Sequence, residues 1–171
     1  MRRFTGAILA VAALAAGCGY NLVGRASNIP PEVRTVYLAP FENVTQRVNV
    51  DQILTRAVND ELVTRQRFAV VSTEENSDAD LIGKVTNFDV RPVTFDSDRR
   101  ATEYEITITA SVSLKQRDPE RMLWQNDRYQ FRDSYQLEAT ELGYLDRETP
   151  AIEATAKKFA ETMVTDLLEG F

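Results

Sequence analysis

Histidine is absent from this 171-residue sequence, and cysteine occurs once, at Cys18. Without histidine, the chain can form neither a Ser–His–Asp nor a Cys–His catalytic arrangement, and it offers no imidazole ligand to a metal ion. A single cysteine excludes an internal disulfide and a thiolate zinc cluster. Any catalysis would depend on carboxylates, lysine, tyrosine, serine or threonine. These absences narrow the possible chemistries without excluding catalysis; from the sequence as a whole we expect a protein that is not an enzyme, with no catalytic residues, no metal site and no cofactor.

Positive charge is also scarce. The chain has 20 Lys and Arg against 26 Asp and Glu, a net charge of −6. Removing the first 17 residues, which contain two arginines and no acid, leaves 154 residues with a net charge of −8. That length suits one domain, and a protein this acidic is not built to coat nucleic acid. We therefore predict a single domain with no nucleic-acid partner.

The N-terminus has the pattern of a signal peptide over residues 1–17. A short basic start is followed by an apolar stretch that is too short to span a bilayer. The stretch ends in small residues directly before the lone cysteine and resembles the bacterial lipobox, Leu14-Ala15-Ala16-Gly17-Cys18. We predict cleavage before Cys18 and acylation of Cys18, palmitate included, which would anchor the chain stably in a membrane. Gly19, rather than Asp, at the next position favours the outer membrane. The alternative is an ordinary signal peptide with an incidental cysteine.

Gly and Pro mark residues 18–32 as a lipidated tether, and we assign residues 33–171 to a single domain. The pattern predicts a strand over 34–39, a loop over 41–45 and a short strand over 68–71. Apolar spacing predicts a helix over 50–65, with Asn49 as its N-cap. A second helix is predicted from Thr149, its cap, and Pro150, its first residue, to Gly170.

The longest strands are predicted over 81–90, 102–114 and 122–135, with a bulge at Gly83 and a break near 126–127. In the 102–114 segment, apolar side chains alternate with Glu, Thr and Ser, which predicts one buried and one solvent-facing side. The element order predicts an α+β fold: a two-layer sandwich of two helices on one face of a four- to five-stranded, mainly antiparallel sheet.

Several segments together resemble the LPS-assembly lipoprotein family LptE. They occur in the family's order over nearly the whole mature chain: Cys18–Gly24, Pro30/Pro31, Thr35–Ala39, Phe41–Thr45, Leu54–Leu62, Ala79–Gly83 and Ala101–Tyr104. The resemblance implies a lipid-anchored outer-membrane protein that faces the periplasm. It also implies a monomer that forms a heterodimer with an LptD-type β-barrel, as a plug, and that binds lipopolysaccharide and helps to insert it in the outer leaflet.

Lipopolysaccharide carries phosphates, so an acidic chain needs a local cluster of cations to bind it. Residues 91–132 have eight basic and seven acidic side chains, a net charge of +1, whereas residues 18–90 carry −3 and residues 133–171 carry −6. Guanidinium groups suit phosphate oxygens. The candidate ligand-binding residues flank two predicted turns: Arg91, Arg99 and Arg100 at the first, and Arg117 and Arg121 at the second. In the alternative reading, the arginines of the first turn are solvated and pair with Asp96 and Asp98.

The sequence is also compatible with other functions. The chain could be a lipoprotein subunit of a different envelope machine, such as an ABC-transporter auxiliary or a secretion-pore partner. Glu103 and Glu105 could form a hydrolase carboxylate pair, although we interpret them as residues of the solvent-facing side of a strand. An aromatic series could stack on sugar, but we assign it to the core or to a barrel contact: Trp124, Tyr129, Phe131 and Tyr135.

Overall fold

A computed structural model describes residues 29–136 and 144–170; for residues 144–148 it describes the backbone only. The predicted signal peptide, Cys18 and all but the last residues of the tether lie outside the described residues. The elements in chain order are β1 (Thr35–Leu38), β2 (Glu42–Asn43), α1 (Val50–Arg65), β3 (Ala69–Val71), β4 (Ala79–Phe95), β5 (Ala101–Gln116), β6 (Arg121–Gln136) and α2 (Tyr144–Glu169). A 3₁₀ turn at Glu74–Asn76 lies between β3 and β4.

The sheet has the order β3-β1-β4-β5-β6, and β2 pairs with β4. β4, β5 and β6 are antiparallel to one another, while β1 is parallel to β3 and β4, and β2 is parallel to β4. The predicted α+β class is therefore confirmed, although the sheet is mixed and has six strands. Because α1 carries the chain back along the sheet, β3 lies parallel to β1. The predicted loop over 41–45 contains the two-residue strand β2.

The core lies between the two helices and one face of the sheet. On β5, the apolar positions of the alternating pattern are fully buried from Ile106 to Leu114. The apolar face of α2 packs onto this face of the sheet. There the Phe159 ring meets Tyr129 and Phe131 edge-on, with ring centroids 5.5 and 6.3 Å apart. The two layers predicted from the hydrophobic pattern therefore share one continuous core.

Gly83 is not at a bulge, contrary to our prediction. It pairs regularly with Val112, and a Cβ at this position would overlap the ring of Phe41. The glycine is needed because the Phe41 side chain packs directly against the backbone of β4. The register of β4 shifts two residues later, between Val85 and Asn87. The break predicted in β6 is confirmed as a bulge, since the two residues between Asn126 and Tyr129 lie opposite a single residue of β5, Ser111.

The helix ends follow the sequence signals in part. α1 has the predicted bounds, but Asn49 adopts a left-handed conformation with φ of 66° and makes no side-chain cap. α2 begins at Tyr144, so the prediction of a start at Thr149 and Pro150 is wrong. Pro150 lies in the second turn, where its missing N–H removes a single intrahelical hydrogen bond. Gly170 ends α2 as predicted, with φ of 80° and its N–H donated to the Asp166 carbonyl at 2.8 Å.

The long strands separate two ends of the domain, which we name the base and the tip. The base holds the start of β1, the C-terminus of α1 and the β5–β6 turn. Here Arg67 donates to the carbonyls of Val33 and Pro30 at 3.1 and 3.4 Å, so the chain enters the domain at the base. The tip is the β4–β5 connection, residues 96–100. β5 has 16 residues, and at about 3.3 Å per residue it spans roughly 50 Å between these ends.

Candidate functional site

The tip is a tight turn organised by one carboxylate. Asp96 donates its backbone N–H to the Arg100 carbonyl at 2.9 Å and accepts the Arg99 N–H on its own carbonyl at 3.1 Å. The Asp96 carboxylate accepts the backbone N–H groups of Asp98 and Arg100, both at 2.8 Å. Arg99 has φ of 61°, a left-handed conformation. An aspartate that bonds the backbone two residues on is a typical turn former, so the sequence Asp-Ser-Asp fixes this bend locally.

Arg99 and Arg100 extend from the tip without acidic partners among the residues that the structure describes. The alternative in which they pair with Asp96 and Asp98 is not seen among the described residues; Oδ1 of Asp96 accepts two backbone N–H groups instead. Every residue from 91 to 100 is exposed. Two guanidinium groups, each with several donors, are therefore available to an anionic ligand at one end of the molecule.

The third arginine of this hairpin has a different role. Arg91 lies on the polar face of the sheet, opposite Glu105, and donates to its Oε1 from Nε and Nη2 at 3.0 and 2.6 Å. This pair links β4 to β5 below the tip. The predicted candidate Arg91 is thus committed to an ion pair, which ligand binding would have to compete with.

The other two predicted arginines are at the base. Arg117 lies between Glu74 and Asp80, at 2.9 and 3.2 Å from their carboxylates. Arg121 is exposed at the start of β6. Because β5 separates these residues from the tip by roughly 50 Å, the five candidates do not form one site. The structure brings together only Arg99 and Arg100.

Apolar side chains accompany the free arginines. Phe95 is 56% exposed and Val93 is 44% exposed on the last residues of β4. Single exposed apolar side chains are common on protein surfaces, so these two matter through their position next to the two arginines. The tip therefore places apolar side chains and two cations together on one exposed surface.

Sequence reasoning missed the role of Glu103. Its Oε2 accepts a hydrogen bond from Thr94 Oγ1 at 2.8 Å, and its Oε1 accepts one from Ser134 Oγ at 2.7 Å. These bonds join β4, β5 and β6 at one level. The Ser134 and Thr94 hydroxyls lower the pKa of the Glu103 carboxyl. A general acid needs a raised pKa, so the structure gives no support to a hydrolase pair of Glu103 and Glu105. The strand alternation placed Glu103 on the correct face but contained no signal for its partners.

The polar face of the sheet runs from the tip to the base along β4, β5 and β6. Thr107 and Thr109 on this face are only 8% and 6% exposed, because longer side chains on the neighbouring strands cover them. Thr107 lies between Asp89 and Arg132 in the cross-strand register. The predicted solvent-facing side is therefore mainly a layer of hydroxyl, amide and charged groups, with Ile82 and Met122 exposed among them near the base.

Two of the aromatic residues proposed as alternative sugar-stacking groups, Trp124 and Tyr129, belong to the core. Both are nearly buried, and Tyr129 donates its hydroxyl to Asp166 on α2 at 2.7 Å. Burial, followed by this hydrogen bond, raises the pKa of Tyr129 far above its ordinary value. Tyr135 stacks on Tyr104 with ring centroids 5.7 Å apart. These rings are therefore used inside the domain.

Among the described residues, a groove lies away from the tip. A groove of about 530 Å³ opens between α1 and the ends of β1 and β3, next to Tyr37, Phe41 and Asn59. Across residues 29–136 and 144–170, no group of three or more His, Cys, Asp or Glu could hold a metal ion. Within the same part of the chain, neither helix has the length and apolar character to cross a membrane.

The fold is shared with several bacterial lipoproteins. The uncharacterized lipoprotein B of Nitrosomonas europaea has a TM-score of 0.54 at 18% identity, covering 88% of this chain and 90% of that one. The rare lipoprotein B of Shewanella oneidensis has a TM-score of 0.51 at 13% identity, covering 77% and 92%. The PelC dodecamer of Paraburkholderia phytofirmans has a TM-score of 0.54 at 12% identity, covering 82% and 92%. No curated protein sequence matches the chain.

These likenesses define a class by fold alone, a two-layer α/β domain found in bacterial lipoproteins. The family is defined by sequence. The family model for LptE, lipopolysaccharide-assembly, matches residues 33–167. The chain belongs to the LptE family, and the resemblance found in the sequence is confirmed.

Proposed function

We propose that this protein is an outer-membrane lipoprotein, anchored through acylated Cys18, that forms a heterodimer with an LptD-type β-barrel and assists lipopolysaccharide transport into the outer leaflet. The observation that carries the proposal is the tip, where Arg99 and Arg100 are free of acidic partners beside exposed Phe95. Family membership supplies the ligand class. The tip supplies cations for its phosphates and an apolar group for its acyl chains.

The polar sheet face supports the plug part of the proposal. Wide β-barrels have a polar, water-lined interior, so a domain seated inside one should present hydroxyl and amide groups rather than an apolar patch. The face bearing Thr107, Thr109 and Gln130 has that character. In this arrangement the barrel contacts the sheet face, and the tip reaches the ligand at one end.

Lipopolysaccharide binding tests the tip. We expect the double variant Arg99→Ala/Arg100→Ala to bind purified lipopolysaccharide at least tenfold more weakly, because hydrogen bonds to charged groups contribute about 1.5–3 kcal/mol and tenfold is about 1.4 kcal/mol. The matched control is Arg56→Ala/Arg128→Ala, which removes the same charge from exposed positions elsewhere. Equal binding by the two double variants would refute a ligand site at the tip.

Partner capture tests the complex. The tagged lipoprotein, extracted from membranes, should recover a large outer-membrane β-barrel in near-equal amount. A Cys18→Ser variant should leave the membrane fraction. Recovery of an inner-membrane ATPase complex instead would contradict the LptD assignment.

The alternative from the sequence, a subunit of another envelope machine such as a secretion pore, would assemble into a ring of identical copies, and PelC, which shares the fold, forms a dodecamer. The two proposals differ in assembly state. A pore subunit should form a homo-oligomeric ring in detergent, whereas a plug should be monomeric apart from its barrel. Light scattering coupled to size-exclusion chromatography separates these outcomes.

A further inference from the structure

The end of the sheet that carries the tip is weakly held by its backbone. Residues 91–100 are all exposed. The β4–β5 register shifts twice here, between Pro92 and Thr94 and between Thr94 and Phe95. Each shift interrupts the ladder of backbone hydrogen bonds. Side-chain contacts must therefore contribute to holding this segment in one conformation.

The Glu103 carboxylate lies at the level of these register shifts. It accepts one hydroxyl from β4, that of Thr94 at 2.8 Å, and one from β6, that of Ser134 at 2.7 Å. Hydrogen bonds to an ionised carboxylate are stronger than those between neutral groups. One side chain thereby fastens three strands directly below the turn that displays Arg99 and Arg100.

An acid so close to a cationic site has two opposing effects. Its negative charge repels an anionic ligand, which lowers affinity. Its hydrogen bonds fix the strands that carry the arginines, which raises affinity because less conformational freedom is lost on binding. The two effects predict changes of opposite sign when the side chain is removed, so they can be separated by experiment.

We propose that Glu103 is a positioning residue for ligand binding at the tip: through Thr94 and Ser134 it holds the end of the β4–β5 hairpin so that Arg99 and Arg100 are presented together to a phosphorylated ligand. This inference rests on the proposed function of the tip. Glu103 acts through the strands and does not itself contact the ligand.

The test measures lipopolysaccharide binding by the full mature lipoprotein at fixed ionic strength. Glu103→Ala should weaken binding at least fivefold, the change produced by a loss of about 1 kcal/mol. Glu103→Gln removes the charge but keeps two hydrogen-bonding groups, so its affinity should be unchanged or higher. The matched control is Asp98→Ala, which removes an acid at the tip whose side chain makes no hydrogen bond among the described residues; its affinity should rise.

Two further variants keep the proposal testable if Glu103→Ala does not fold. Thr94→Val and Ser134→Ala each remove one hydroxyl without changing the net charge, and each should weaken binding. Amide hydrogen exchange supplies an independent readout. In these variants exchange should accelerate at residues 94–101, with exchange in the core of β5 unchanged.

The variants distinguish failure of the proposed ligand site from failure of the positioning role of Glu103. If Arg99→Ala/Arg100→Ala binds as the wild type does, the proposed ligand site is wrong, whatever Glu103 does. If the arginine variant loses binding while Glu103→Ala gains affinity as Asp98→Ala does, repulsion dominates and the positioning role is refuted.

Discussion

Replacing Gly83 by alanine adds one methyl group where the Phe41 ring lies against the backbone of β4. The new Cβ would overlap the Phe41 ring, which is 3% exposed and fixed in the core, so the ring or the strand must move. Overpacking a well-filled core costs about 1–3 kcal/mol. We expect Gly83→Ala to lower the free energy of unfolding by about 2 kcal/mol.

The contact predicts an energetic coupling between substitutions at Gly83 and Phe41. Phe41→Leu removes the ring atoms that meet the new methyl group, so Gly83→Ala should cost less in that background, by at least about 1 kcal/mol. Urea unfolding followed by circular dichroism, on all four members of the double-mutant cycle, measures this coupling. Additive effects within about 0.3–0.5 kcal/mol would refute the assignment of Gly83 to the Phe41 contact.

Two further predictions concern polar groups that hold the fold. Tyr129→Phe should lower the free energy of unfolding by about 1.5–3 kcal/mol, the range for hydrogen bonds to charged groups, because the buried bond to Asp166 is lost; an unchanged urea midpoint would contradict it. The backbone N–H groups of Arg34 and Thr35 lower the pKa of Asp78 below its ordinary value of 3.8. The stability this provides is present above that value and is lost as the pH falls through the lowered pKa. Asp78→Asn should therefore lose less stability between pH 5 and pH 2 than the wild type, as followed by acid unfolding.

The elements that sequence predicts well are those whose burial follows from local periodicity. The alternation in β5 and the apolar spacing in α1 each describe a complete buried face, so both elements have nearly the predicted bounds. Gly83 shows where this reasoning fails. A bulge and a close approach by another segment both favour glycine, and only the fold, which brings Phe41 to β4, decides between them.

The candidate site likewise has features that the local sequence encodes and features that depend on contacts between distant segments. Arg99 and Arg100 lie in a turn that the local sequence encodes through Asp96, so their exposure could be predicted. The pairing of Arg91 with Glu105, and of Arg117 with Asp80, depends on strand register over 14 and 37 residues. The bridge from Glu103 to Ser134 spans 31 residues. No pattern in a single sequence specifies such register. The ion pairs of Arg91 and Arg117 and the hydrogen bonds of Glu103 can therefore be assigned only from the structure.

The entry of the chain at the base sets a limit on how the domain can stand at a membrane. Eleven residue steps separate Cys18 from Ile29, the first described residue. Fully extended, that length reaches about 36–40 Å, which is shorter than the roughly 50 Å from base to tip. If Cys18 carries the acyl chains, a domain whose long axis is perpendicular to the membrane cannot place its tip against the leaflet that holds those chains. An acylated Cys18 would therefore hold the domain by the end opposite Arg99 and Arg100, and with its base toward the membrane the domain would point those cations away from the anchor.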